Sequence, residues 1–239
     1  MKTKKNIVEF IPFFALLAAS VVTLLIYLLT MGERDPVRIS EACVIPLIAL
    51  IIPALNRIFK INIPFSFNVA ICIFSLLAVD LASVLNFYAV VPIFDKIMHT
   101  VFGIVGGFGI TIMLMYGRGD KMKPWCFFIV VMLSVLGLAA LWEIYEYTAS
   151  AILGSDMQRW LPDFDKFGDM TVSDFFKNYN PLWDTIWDII VAAFGVLIYY
   201  GLIFIDKLCG YKVMKSVYVQ INDSKKLEKN VVESVDILK

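Results

Sequence analysis

Asp95-Lys96-Ile97-Met98-His99 stands at the head of an apolar run reaching about Tyr116, and it contains the only histidine of the chain. Two later apolar runs carry acids in comparable places: Trp142-Glu143-Ile144-Tyr145-Glu146 closes one, and Asp184-Thr185-Ile186-Trp187-Asp188 opens another. The members of each pair are three or four residues apart, so on a helix both project from one face. An ionised carboxylate at the centre of a membrane helix costs about 2.5–3.5 kcal/mol on insertion scales. Five carboxylates and a histidine therefore need a reason to be there, and whether the three pairs can meet depends on how the chain is threaded.

Apolar residues make up 60% of the 239 residues and the mean hydropathy is +0.79. Soluble domains are roughly 45–50% apolar, so this composition marks an integral membrane protein. Its length suits one compact bundle, and a formal net charge of zero gives no electrostatic case for a nucleic-acid partner. Cys43, Cys72, Cys126 and Cys209 show no C-x-x-C pair and no metal-ligand spacing, and read as small buried hydrophobes.

Six runs are long enough to cross about 30 Å of hydrocarbon: about Ile7 to Met31, Ser40 to Phe59, Phe65 to Tyr88, Phe94 to Tyr116, Trp125 to Ser150 and Leu182 to Asp206. The first is much longer than the apolar part of a signal peptide and reads as a retained span. The expected fold is an all-α polytopic membrane bundle of about six transmembrane helices over residues 1–210, with Pro46 and Pro53 kinking the second. Gly103, Gly106, Gly107 and Gly109 would let a neighbouring helix approach the fourth. Residues 151–181 are acidic and studded with aromatics, which suggests a segment lying on the bilayer interface as a partial lid. Residues 211–239 read as a charged cytoplasmic tail.

Lys2, Lys4, Lys5, Arg57, Lys60, Arg118, Lys121, Lys123, Lys207, Lys212 and Lys215 fall on the side of the amino terminus. The positive-inside bias then puts both termini in the cytoplasm. With that threading all three pairs fall within about one to three turns of the outer face, using 1.5 Å per residue. Asp80 lies deeper in the same half. Trp142, Tyr145, Tyr147, Trp183 and Trp187 read as an interfacial aromatic belt.

Neighbouring carboxylates raise one another's pKa and need protons, cationic side chains or a bound metal. Lys96 and His99 are outnumbered, so a divalent cation is expected, with Asp95, His99, Glu143, Asp184 and Asp188 as the candidate ligands. One imidazole among carboxylates suits Mg²⁺, Mn²⁺ or Ca²⁺ better than Zn²⁺. The bland alternative stands beside this: Asp95 and Asp184 are also what a helix amino terminus favours, and the inner members would serve as polar cross-links between helices.

The order Asp-x-x-x-His, Trp-Glu-x-x-Glu, then Asp-Thr-x-Trp-Asp followed by Gly195 resembles the YjdF-type family of bacterial inner-membrane proteins, a domain of unknown function, from the second span to the sixth. It is similar more loosely to VanZ-like proteins, although Glu146 and Asp188 replace the glutamine and asparagine usual there. The resemblance implies a bacterial cytoplasmic-membrane protein and brings no established reaction.

Three functions follow from the cluster. The first is a metal-dependent hydrolase or transferase acting at the outer leaflet on a lipid or envelope intermediate. In it Glu143 or Glu146 is the general base and His99 a ligand or proton shuttle. The second is a proton- or ion-coupled transporter or binding protein. The third is a structural bundle whose polar network fixes helix register. Membrane lipids are the expected surroundings in each.

Overall fold

The computed structural model describes residues 8–31, 34–59, 61–91, 93–117, 119–153 and 181–221. Those residues form an all-α bundle, without strands among them, and six helices are long and apolar enough to cross a membrane. They are α1 (Ile11–Thr30), α2 (Pro36–Ile58), α3 (Phe65–Val84), α4 (Phe94–Tyr116), α5 (Pro124–Leu153) and α6 (Pro181–Leu208). A further helix, α7, covers 212–221.

The second helix starts four residues before the expected Ser40. Asp35 caps it by accepting a 2.8 Å hydrogen bond from the Val37 amide, and Pro36 follows at the first helical position, where its missing N–H costs nothing. Tyr27 of α1 secures this corner, its hydroxyl accepting from the Asp35 amide at 2.8 Å. Inside α2 the α-helix narrows to a 3₁₀ stretch over Ile45–Leu50 and resumes at Ile51. Pro46 falls in this stretch, where a proline cannot donate the helical hydrogen bond.

The third helix widens instead, adopting π geometry over Leu76–Val84. It stops short of the expected Tyr88, because Asn86 takes a left-handed backbone (φ 61°) and only a single turn, Phe87–Val90, follows. Asp80, in the widened stretch, is fully buried and accepts a 3.0 Å hydrogen bond from Ser20 of α1.

α4 and α6 make the most extensive contact in the bundle. A Cβ built on Gly103 would run into the Ala192 carbonyl oxygen, and one on Gly195 into that of Thr100. Farther along, the Tyr199 ring covers Gly107 so closely that a Cβ there would lie 2.8 Å from it. Small residues thus bring two backbones together in a setting where close packing drives helix association. Val131 and Val135 of α5 close the same core against Val196.

Asp206, near the end of α6, accepts from the amides of Val213 and Met214 at 2.9 Å each and so caps α7 across a turn made by Gly210 and Tyr211, both with positive φ. Val217 and Ile221 are then buried against Ile112 of α4, with Ile63 and Phe67 packed around them. The first residues assigned to a solvated tail are therefore docked on the bundle. Two of the four cysteines also depart from expectation: Cys43, in α2, and Cys209, in the turn after α6, are exposed. The expected interfacial lid over 151–181 lies, beyond Leu153, outside the described residues until α6 begins, as does the tail after Ile221.

Candidate functional site

The three pairs meet. α4 and α6 both begin at the same end of the bundle and run alongside each other, and the Gly103–Gly195 contact fixes their register. One to two turns back toward the helix starts, that register puts His99 opposite Asp188 and Lys96 opposite Asp184. α5 arrives from the other direction and brings Glu143 and Glu146 to the same level. His99 Nε2 lies 3.8 Å from Asp95 Oδ1 and 3.8 Å from Asp188 Oδ1, and His99 Nδ1 lies 3.9 Å from Glu143 Oε1. Asp95, His99 and Asp188 each offer one ligand atom within 4.8 Å of the others, and so do His99, Glu143 and Glu146.

Lys96 divides this cluster. Its Nζ lies 3.0 Å from Asp95 Oδ2 and 2.7 Å from Asp188 Oδ1, and it donates to Asp184 Oδ1. Three carboxylates on the Nε2 side of His99 therefore share one ammonium, two of them from α6. On the Nδ1 side, neither glutamate pairs with a lysine or arginine among the described residues. Glu143 accepts from Thr185 Oγ1 at 3.0 Å through Oε2, and Glu146 accepts from Trp142 Nε1 at 2.8 Å through Oε1. Glu143 Oε1 is buried with no hydrogen-bond partner, as is Asp188 Oδ2. A buried charged oxygen without a partner is costly, and it calls for a counter-ion or a proton.

The His99 separations bear on that. They exceed the 2.7–3.2 Å of an N–H···O hydrogen bond, yet two ligands held about 2.0–2.3 Å from one ion are themselves roughly 3–4 Å apart. The spacing therefore fits an ion between the groups better than a hydrogen bond across them. Lys96 already pairs with Asp95 and Asp188 on the Nε2 side, whereas neither glutamate pairs with a lysine or arginine among the described residues, so the set formed by His99, Glu143 and Glu146 is the better candidate for an added cation. Asp95 and Asp188 then face the opposite ring nitrogen at 3.8 Å, beyond hydrogen-bond length.

A cavity of about 300 Å³ opens beside the cluster. Asp95, His99, Trp142 and Glu146 line it together with Glu41 and Ser83 from α2 and α3 and the apolar Ile45, Phe74, Met98 and Phe102. Trp183, Trp187, Tyr145 and Tyr147 are exposed at this end of their helices. Asp80 takes no part: its hydrogen bond is to α1.

Sequence reasoning missed Thr185 and Glu41. Thr185 lies one residue from Asp184, and its hydroxyl gave no signal beyond that neighbourhood. Glu41 was readable as a lone acid at the head of an apolar run, the same feature that marks Asp95 and Asp184.

Six apolar helices with a buried acid-histidine cluster at one end define a polytopic membrane protein. The chain belongs to the family described as "Predicted membrane protein (DUF2238)", which matches residues 13–207. No curated protein and no solved structure matches it.

Proposed function

We propose that this protein is a divalent-cation-dependent hydrolase or transferase of a bacterial cytoplasmic membrane, acting on a lipid or envelope intermediate at the outer face, with both termini cytoplasmic. The observation that carries the reading is the partnerless Glu143 Oε1, buried 3.9 Å from His99 Nδ1 beside a substrate-sized cavity. His99, Glu143 and Glu146 hold the ion, and the predominance of carboxylates suits Mg²⁺, Mn²⁺ or Ca²⁺. Such an ion supplies electrophilic assistance to a carbonyl or phosphoryl oxygen.

The residues of the chain do the rest. Trp142 and Thr185 each fix one oxygen of a glutamate and leave the other turned to the reacting region. The glutamate that the ion would hold less tightly would take the proton of an attacking water and return it to the leaving group as the bond to that group breaks, and His99, with one ring nitrogen on the ion, would act as a ligand. Lys96 holds Asp95, Asp184 and Asp188 together, which ties the start of α4 to the start of α6 beside the ring. The excess of lysine and arginine in the connections on the side of the termini supports placing this chemistry at the outer face.

Metal analysis of protein purified without chelator tests the reading. About one divalent ion per chain is expected in the wild type, lost in His99→Ala and Glu143→Gln while both variants keep a monodisperse elution profile. A wild type free of divalent ions after equilibration with Mg²⁺, Mn²⁺ and Ca²⁺ sinks it.

A further inference from the structure

The cavity beside the cluster has an electrostatic character that the cluster alone does not convey. Its carboxylates are Glu41, Asp95 and Glu146, its other polar lining groups include Ser83, Tyr88 and His99, and no lysine or arginine lines it among the described residues. The nearby cations are engaged elsewhere. Lys96 is turned to Asp184 and Asp188 of α6, and Arg38, one turn before Glu41, contacts Asp35 at 3.5 Å and Asn86 at 3.2 Å. An ionised carboxylate only accepts hydrogen bonds, so a ligand must bring the donors.

Glu41 is also positioned. Ser83 Oγ donates to its Oε2 at 2.6 Å, which fixes the carboxylate in the lining of the cavity that His99 and Glu146 also line. His99 is itself buried and faces this space, with its nitrogens beyond hydrogen-bond length from the carboxylates of Asp95, Glu143 and Asp188. The remaining lining is largely aliphatic and aromatic: Ile45, Ile48, Phe74, Val79, Met98 and Phe102. At about 300 Å³ the space is at the small end of ligand pockets, enough for one chain and a compact head and too small for a two-chain lipid with a large head.

We infer that this cavity binds a single-chain amphiphile with an ammonium head, and that Glu41 is the residue that takes the head. The inference rests on the reading of the neighbouring cluster as a reaction site, for which it names the substrate class: an amine-bearing amphiphile, its chain among the aliphatic lining and its functional group between Glu41 and His99. Among the described residues, an anionic head would meet the Glu41 carboxylate with no lysine or arginine lining the cavity to receive it. Ser83 holds the Glu41 carboxylate in place and is a positioning residue.

Photolabelling in lipid nanodiscs tests this. The probe is a long-chain alkylamine with a diazirine near its tail, and labelled peptides are mapped by mass spectrometry. Dodecylamine, dodecanol and dodecyl phosphate serve as competitors, with added Mn²⁺ and with chelator. Expected are labelled peptides from α2, α3 and α4, and competition by dodecylamine at a concentration at least tenfold lower than either other head requires. Glu41→Gln should remove that preference, whereas Ser83→Ala should weaken it several-fold. Ile48→Trp, which fills the aliphatic part and changes no charge, should abolish labelling, and unaltered thermal unfolding of each variant shows that the bundle is intact. Equal competition by dodecyl phosphate, or a preference unchanged in Glu41→Gln, overturns the inference. Since the chelated arm needs no ion, a protein that binds no metal defeats the catalytic reading and leaves the amine preference to stand or fall by itself.

Discussion

Gly103 and Gly195 meet backbone to backbone where α4 crosses α6, each at a point where a Cβ would strike a carbonyl oxygen of the other helix. The contact lies one turn below His99 and nearly two turns below Asp188, so it sets the distance between the walls of the site. Gly103→Ala and Gly195→Ala should each destabilise the bundle by about 1–3 kcal/mol, the usual cost of overpacking, and lower divalent-ion affinity by pushing α4 from α6. Gly137 of α5, with nothing within 4 Å of a built Cβ, is the control: Gly137→Ala should be neutral or stabilising by up to about 1 kcal/mol. Thermal unfolding in detergent, read beside ion binding, separates the two outcomes.

Lys96 holds three carboxylates, including Asp188, whose side chain is 1% exposed. Removing one partner of a buried ion pair typically costs about 3–5 kcal/mol, and Lys96 is 27% exposed, so a value toward the lower end is expected for Lys96→Met. Pairing it with Asp188→Asn should recover a large part of that loss, because the uncompensated charge is then gone. A double-mutant cycle by chemical denaturation reads the coupling, expected at about 1 kcal/mol or more. Additive single effects would show that the ion pair contributes nothing to holding α4 against α6.

How much of this could be read beforehand follows from what the bilayer makes conspicuous. The six spans and the convergence of Asp95, His99, Glu143, Glu146, Asp184 and Asp188 were legible, since a charged group in an apolar run stands out against its cost. Lys96 was legible as a source of counter-charge, but its reach to three carboxylates at once was not. As the neighbour of Asp95 it leaves the helix about 100° around, and only its long stem carries the ammonium back across to α6. The π geometry of Leu76–Val84 shifts hydrogen bonds by one residue and leaves no mark in apolar periodicity. Docking of α7 was readable from Val217 and Ile221, four residues apart, but was masked by averaging them with the charges that follow.

Thr185 reaches from α6 to α5 to donate to Glu143 Oε2. Its loss leaves a buried carboxylate oxygen unsatisfied, which costs about 1–3 kcal/mol, and loosens a candidate ligand, which typically weakens metal binding about 10–100-fold. Thr185→Val, matched in volume, should show both effects. Thr185→Ser, which keeps the hydroxyl, should restore ion affinity to within a few-fold of wild type by isothermal titration calorimetry. Equal affinity in the valine and serine variants would mean that Glu143 needs no orienting partner.

Asp206 belongs to the opposite end of the bundle and tests whether that end is independent of the site. Its two carboxylate oxygens accept from consecutive amides at the start of α7, and without them those donors depend on water. Truncating a capping side chain costs about 0.5–2 kcal/mol, so Asp206→Ala should release α7 locally, exposing Val217 and Ile221, rather than unfold the spans. Hydrogen exchange is the measurement: amides of residues 213–221 should lose protection by roughly tenfold or more, while those of α4 and α6 around Gly103 and Gly195 keep theirs. Ion binding at His99 should be unchanged, because α4 and α6 are fixed to each other between the two ends by the glycine contact. A drop in ion affinity in Asp206→Ala would instead reveal that α7 and the site are coupled through the length of α4.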